Sequence, residues 1–105
     1  MDPEKFFLKP VDIMELRRLK AMLTDAGIQH EWLDEPSMGG ATIKVPSQKA
    51  WRASRGVSII QNRGSYGGPG GQLECWCKTK KRNEREPEGW LSAEEVFARV
   101  KEAVL

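Results

Sequence analysis

No stretch of this 105-residue chain approaches the roughly 18 to 20 consecutive apolar residues of a membrane-spanning helix. The opening Met-Asp-Pro-Glu also lacks the basic and apolar regions of a signal peptide, so a protein of the cell interior is expected. Cysteine is scarce: Cys75 and Cys77 are too few and too close for the disulfide framework of a small secreted domain, in agreement with a reducing compartment. Histidine occurs once, at His30, and with the two cysteines it falls short of the four nitrogen or sulfur donors of a structural zinc site. Cys75 and Cys77 are therefore expected as small buried apolar residues. No serine, cysteine or carboxylate is held near His30 by spacing. Glu94 and Glu95 sit where a helix dipole favours acids, so no paired acid and base emerge. The phosphate-binding Gly-x-x-x-x-Gly-Lys-Ser/Thr sequence is missing, as are the strand-turn-helix order of a dinucleotide fold and the signatures of helix-turn-helix, zinc-finger and RNA-recognition domains. These absences argue against an enzyme and imply no cofactor and no metal.

What the chain does have is a polarised charge. Ten basic residues lie between Lys44 and Arg85 against only Glu74 and Glu84, whereas the two ends together carry seven basic and thirteen acidic residues. Such a middle concentrates anions, whether nucleotide, nucleic acid or an acidic protein surface, unless the acidic ends fold over it, and it disfavours a DNA mimic. At 11.9 kDa the chain has room for one domain with a modest core, and a homo-oligomer is expected to help it.

Asp12, three residues before Glu15, has the spacing of a capping box. Ile13, Leu16, Leu19 and Leu23 then recur as one apolar stripe of a helix that Gly27 stops. Residues Ile28 to Leu33 and Ala41 to Val45 read as a hairpin, Gly56 to Asn62 as a third strand and Gln72 to Lys78 as a fourth. Between the last two, five glycines in the eight residues Gly64 to Gly71 predict an irregular, flexible connection. Pro46 to Arg55 reads as a polar connection and Thr79 to Gly89 as a mobile charged loop. Ser92 and Glu95 form a second capping box, with Leu91 and Val96 as a hydrophobic staple, so a helix closes the chain. The expected fold is α+β: helix, three- to four-stranded antiparallel sheet, helix, both helices on one sheet face and the opposite face open for binding.

Four segments, Leu23-Thr24-Asp25-Ala26-Gly27-Ile28, Gly39-Gly40, Gly64-Ser65-Tyr66-Gly67 followed by Leu73-Glu74, and Gly89-Trp90-Leu91-Ser92-Ala93-Glu94-Glu95-Val96-Phe97, resemble a family of small accessory proteins of bacteriophages and prophages, especially those of gut Firmicutes. The chain departs from that family in its Lys78 to Arg85 basic run and in Cys75-Trp76-Cys77. The resemblance implies an accessory gene that counteracts host immunity in the host bacterial cytoplasm, by inhibiting an effector or by sequestering a nucleotide second messenger.

The glycine stretch is the leading candidate site, because exposed amides of such a loop can form an anion-binding nest. The expected ligand is a phosphorylated nucleotide, bound without cleavage. Gly64, Ser65, Tyr66, Gly67 and Gly68 would cradle it, Arg52, Arg55, Arg63 and Lys80 or Lys81 would grip phosphates, and Tyr66 or Trp51 would stack on a base. Trp76, alternating with Cys75 and Cys77, is core if it faces the helices and a stacking platform if it faces away; Trp32 and Trp90 read as structural. The competing reading is an inhibitor that docks on a host defence protein, such as a CRISPR nuclease, or on nucleic acid, through the basic middle and its run Lys78, Lys80, Lys81, Arg82 and Arg85.

Overall fold

The three- and four-residue spacing of Leu16, Leu19 and Leu23 produces the first helix, α1, at Met14–Asp25, and all three leucines are fully buried. The computed structural model describes residues 11–105; the acidic opening stretch and Pro10 lie outside the described residues. Gly27 closes α1 as expected, at φ +68°: its N–H bonds the Thr24 carbonyl at 3.1 Å and the Ile28 N–H bonds the Leu23 carbonyl at 2.9 Å, a Schellman turn. The other end differs from the capping box read at Asp12. Asp12 Oδ1 accepts from the Met14 N–H at 3.0 Å, while Glu15 reaches across the fold and accepts from the Ala93 N–H at 2.7 Å. Glu15 thus serves the start of a different helix, a long-range partner that local spacing does not encode.

Five strands follow, one more than the upper expectation: β1 at Glu31–Glu35, β2 at Gly40–Val45, β3 at Gly56–Gln61, β4 at Leu73–Lys78 and β5 at Glu88–Leu91. They pair in chain order as one antiparallel sheet, which short connections permit. The polar connection after β2 contains a short helix, α2, at Gln48–Arg52, whose start Ser47 caps by accepting from the Ala50 N–H at 3.1 Å. The last helix, α3, spans Ala93–Val104 and carries the reciprocal Ser92–Glu95 capping box, both bonds at 3.1 Å. Alternation in the strands turns Ala41, Ile43, Val45, Val57, Ile59, Leu73, Cys75 and Cys77 to one face, and they form a single buried cluster with the leucines of α1 and with Val96, Val100 and Ala103 of α3. Both long helices therefore cover one sheet face.

The Thr79 to Gly89 segment is ordered, in contrast to the mobile loop read from its charge. Thr79 and Arg82 close a turn, Lys78 bridges Asn83, and Glu84 bonds both ways to Cys77, its N–H to the carbonyl at 2.8 Å and its Oε1 from the N–H at 2.7 Å. That fold-back continues the β4 edge and delivers the chain into β5. Cys75 and Cys77 are free and buried with sulfurs 4.0 Å apart; their mutual hydrogen bond and loss of hydration push the Cys75 thiol well above its usual range, keeping it protonated.

Candidate functional site

The residues expected to form one pocket are placed at opposite ends of the sheet. Trp51, Arg52 and Arg55 precede β3, and Lys80 and Lys81 follow β4, at the end where Gly56 pairs with Lys78. Arg63, Gly64, Ser65, Tyr66, Gly67 and Gly68 lie beyond the other end of β3, a strand length of roughly 17 Å away. Distance along a strand separates groups that sequence order and charge alone bring together.

At the glycine end the amides are engaged inside the protein. Gly64 N–H bonds Asn62 Oδ1 at 2.8 Å, Ser65 N–H the Asn62 carbonyl at 3.4 Å, Gly68 N–H the Ser65 carbonyl at 3.2 Å, and Gly70, Gly71 and Gln72 donate to carbonyls of Gly67 and Gly68. The Tyr66 N–H donates to Glu74 Oε1 at 3.1 Å, so a carboxylate stands where a phosphate nest would need an empty space. The loop is a tied structure with a 3-10 turn at Gly68–Gly70, and its glycines serve close packing: a Cβ on Gly68 would stand 2.2 Å from the Asn62 carbonyl oxygen. Arg63 is likewise structural, its Nη2 donating to the Ser37 carbonyl at 2.7 Å and its N–H to that of Met38 at 2.9 Å.

At the other end, part of the positive charge is neutralised by the acidic last helix. Arg82 pairs with Glu102 at 2.6 Å and Glu84 at 3.3 Å, and the Lys81 ammonium donates to the Leu105 carbonyl. The side chains of Lys49, Arg52, Arg55, Lys80 and Arg85, by contrast, make no hydrogen bond, ion pair or ring contact among the described residues. Arg55 and Lys80 line one cleft of ≈ 430 Å³ together with the Ser54 and Thr79 residues and an apolar floor of Pro46, Ala103 and Val104. Ser54 is held there at φ +55°: a Schellman turn closes α2, with Ser54 N–H on the Trp51 carbonyl at 3.0 Å and Arg55 N–H on that of Ala50 at 2.9 Å. A serine at a position suited to glycine is the kind of local strain that collects at functional sites. A larger cleft, ≈ 640 Å³ and lined by Asp12, Arg17 and Asp34, offers an anion less: its arginine already lies over the Trp32 ring at 5.4 Å and two carboxylates share the wall.

The sheet face away from the long helices is not bare, a second departure from expectation. Thr42, Lys44 and Ser58 point to it and are buried, and α2 folds Trp51 over it. Trp76 faces this side, not the helices: its ring meets Trp51 edge-on at 5.7 Å, and its Nε1 donates to the Glu84 carbonyl at 3.0 Å. Lys44 and Lys78 ammoniums lie 4.7 and 4.8 Å from the Trp51 ring centre, and Lys78 4.2 Å from that of Trp76. Trp51 is thus occupied with lysines and a second tryptophan instead of being free to stack on a base.

Lys44 donates to Ser58 Oγ at 2.6 Å, and burial lowers its pKa from the usual 10.5, against the raising effect of Glu35 and with the repulsion of Lys78. In the window between the lowered value and 10.5 the unfolded chain holds more protons than the folded one, so this group's contribution to stability rises with pH across it. Below that window the penalty is constant. The melting temperature of the parent relative to Lys44→Met is expected to be level below that window and to rise as pH climbs through it; thermal melts at several pH values check it.

Among the described residues no helix is long and apolar enough to cross a membrane, and no group of three or more histidine, cysteine, aspartate or glutamate side chains is placed to hold a metal ion. Comparison with protein-family models, curated protein sequences and solved structures returned no match.

Proposed function

We propose that this protein binds a phosphorylated nucleotide in the Arg55–Lys80 cleft and keeps it intact, acting in the host bacterial cytoplasm as a phage protein that withdraws a nucleotide immune signal of cyclic oligonucleotide or ADP-ribose type. The carrying observation is the cleft itself. Two unpartnered cations from different connections line the same concavity, with Ser54 beside them and Thr79 holding its hydroxyl on Arg82. A guanidinium grips phosphate oxygens in pairs and an ammonium adds a point charge, while Pro46 and Val104 supply apolar contact for a ribose or base. The volume lies in the range of small-molecule sites. The resemblance to phage accessory proteins supplies the biological context.

A thermal-shift and calorimetric screen with cyclic dinucleotides, cyclic oligonucleotides and ADP-ribose derivatives tests this. One ligand is expected to give a saturable rise in melting temperature, since it binds only the folded state. The Arg55→Glu, Lys80→Glu double variant is expected to weaken it by about 100-fold or more, from the loss of two charge-assisted contacts. Arg63→Ala, at the far end of the sheet, leaves it unchanged. Heating the complex should release intact ligand. A panel without any shift, or binding that survives the double reversal, overturns the reading. Lys49 and Arg52 of α2 are also exposed and without partners among the described residues, and this favours a second reading, docking on an acidic protein surface. Co-purification of a defence protein whose release needs salt would identify that case.

A further inference from the structure

Tyr66 and Trp90, expected as ligand stacker and structural anchor, instead form an exposed pair. Their rings stack at 5.5 Å with 21° between planes, yet remain 53% and 62% exposed. Trp90 also sits at φ +56°, an outlier for a bulky aromatic residue and a conformation that persists only when its surroundings impose it. They do so here. The Trp90 N–H donates to the Tyr66 carbonyl at 3.1 Å and its carbonyl accepts from Gln72 Nε2 at 3.2 Å. Gly67 and Gly89 let the two segments touch: a Cβ on Gly89 would lie 2.1 Å from that of Tyr66, and one on Gly67 2.9 Å from the Trp90 backbone. The glycine loop therefore holds an aromatic platform against solvent instead of cradling an anion.

Acidic side chains lie close in the chain to this platform. The Glu74 carboxylate accepts from the Tyr66 N–H at 3.1 Å, Glu86 is exposed four residues before Trp90, and Glu88, two before it, is already paired with Arg99 at 3.0 Å. An exposed ring face beside carboxylates takes a guanidinium, which stacks plane on plane while its N–H groups meet the acids. The chain carries the complementary group at its opposite end, where Arg52 and Lys49 of α2 are exposed and without partners among the described residues.

We infer that a second copy of this chain docks there, Arg52 of one molecule on the Tyr66–Trp90 platform of the next. Because the two patches lie at opposite ends of one sheet, the contact is head-to-tail and repeats, closing into a ring or running on as a filament. A 105-residue domain with a modest core gains stability from such association. The inference does not depend on the nucleotide reading, whose cleft uses Arg55 and Lys80.

Sedimentation velocity of the full chain over a range of concentrations and salt tests it. The parent should sediment as a species larger than a monomer and dissociate as salt is raised. Trp90→Asn, which removes the ring and suits a left-handed backbone, and Arg52→Glu should each be monomeric, with circular dichroism confirming the fold. Mixed in equal amounts they should form dimers and nothing larger, since one intact platform meets one intact arginine. A monomeric parent, an Arg52→Glu or Trp90→Asn variant that still associates, or a mixture that stays monomeric overturns the assignment. Ligand binding by the Arg55 and Lys80 variants is read separately, so either idea can fail alone.

Discussion

Replacing Gly68 with alanine is expected to lower the unfolding free energy by about 3 kcal/mol and the melting midpoint by roughly 15 °C. The added Cβ would stand 2.2 Å from both the Asn62 carbonyl oxygen and Ser65 Oγ. Neither can retreat cheaply, because the two residues are bonded to each other three times: Asn62 N–H donates to Ser65 Oγ at 3.0 Å, and the Ser65 hydroxyl and N–H donate to the Asn62 carbonyl at 3.1 and 3.4 Å. Gly70, two residues on in the same loop, has nothing within 4 Å of the position a Cβ would take. Gly70→Ala should therefore be neutral or raise stability by about 0.5 kcal/mol, by restricting the unfolded chain. Calorimetric melts of the two variants separate a packed loop from a flexible one. A flexible connection would tolerate both equally, and matching midpoints would show the packing account to be wrong.

The second large effect is expected at Gln61, a fully buried polar residue on the helix-covered face. Its Oε1 accepts from the Leu16 N–H at 3.1 Å, one of the first-turn amides of α1 that have no partner within their own helix, and its Nε2 lies 3.5 Å from the Gly68 carbonyl. Gln61 thus links the start of α1 to the glycine loop through the end of β3. Gln61→Leu keeps most of the volume but leaves a buried amide without a partner, at a cost of about 2 kcal/mol. Urea unfolding should show the midpoint falling by roughly 1 M with the slope unchanged. A midpoint within error of the parent would mean that the Leu16 amide finds another acceptor.

The Gln61–Leu16 contact spans 45 positions, and what is legible in the sequence depends on such separations. The stripe of α1, its Gly27 stop, the Ser92–Glu95 box and the alternation that buries Cys75 and Cys77 all depend on residues within a few positions of each other. Local spacing points Glu15 at the start of its own helix, whereas its carboxylate is held by Arg18 one turn on and by the Ala93 N–H, 78 positions away. Strand β5 is hard to read for a related reason: Glu88-Gly89-Trp90-Leu91 has little strand character of its own, and the chain reaches β4 again through the fold-back that ties Glu84 to Cys77. The glycine run reads as flexible by composition, yet Asn62, Ser65 and Glu74 bind its amides in turn.

For the candidate site the division is sharper. The amino-acid sequence alone determined that the middle of the chain is cationic, that the ends are acidic, and that helices frame a central set of strands, since charge and periodicity are properties of residues and their spacing. Only the tertiary structure decided which cations remain available. It paired Arg82 with Glu102, bound Lys81 to the last carbonyl, set Arg63 against Ser37 and turned Lys44 and Lys78 onto tryptophan rings. It also placed Arg55 and Lys80 in one cleft and carried the Tyr66–Trp90 pair to the opposite end. The reason is geometric: antiparallel pairing brings the start of β3 beside the end of β4, so residues 25 apart become neighbours while residues eight apart across β3 are separated by the length of the strand.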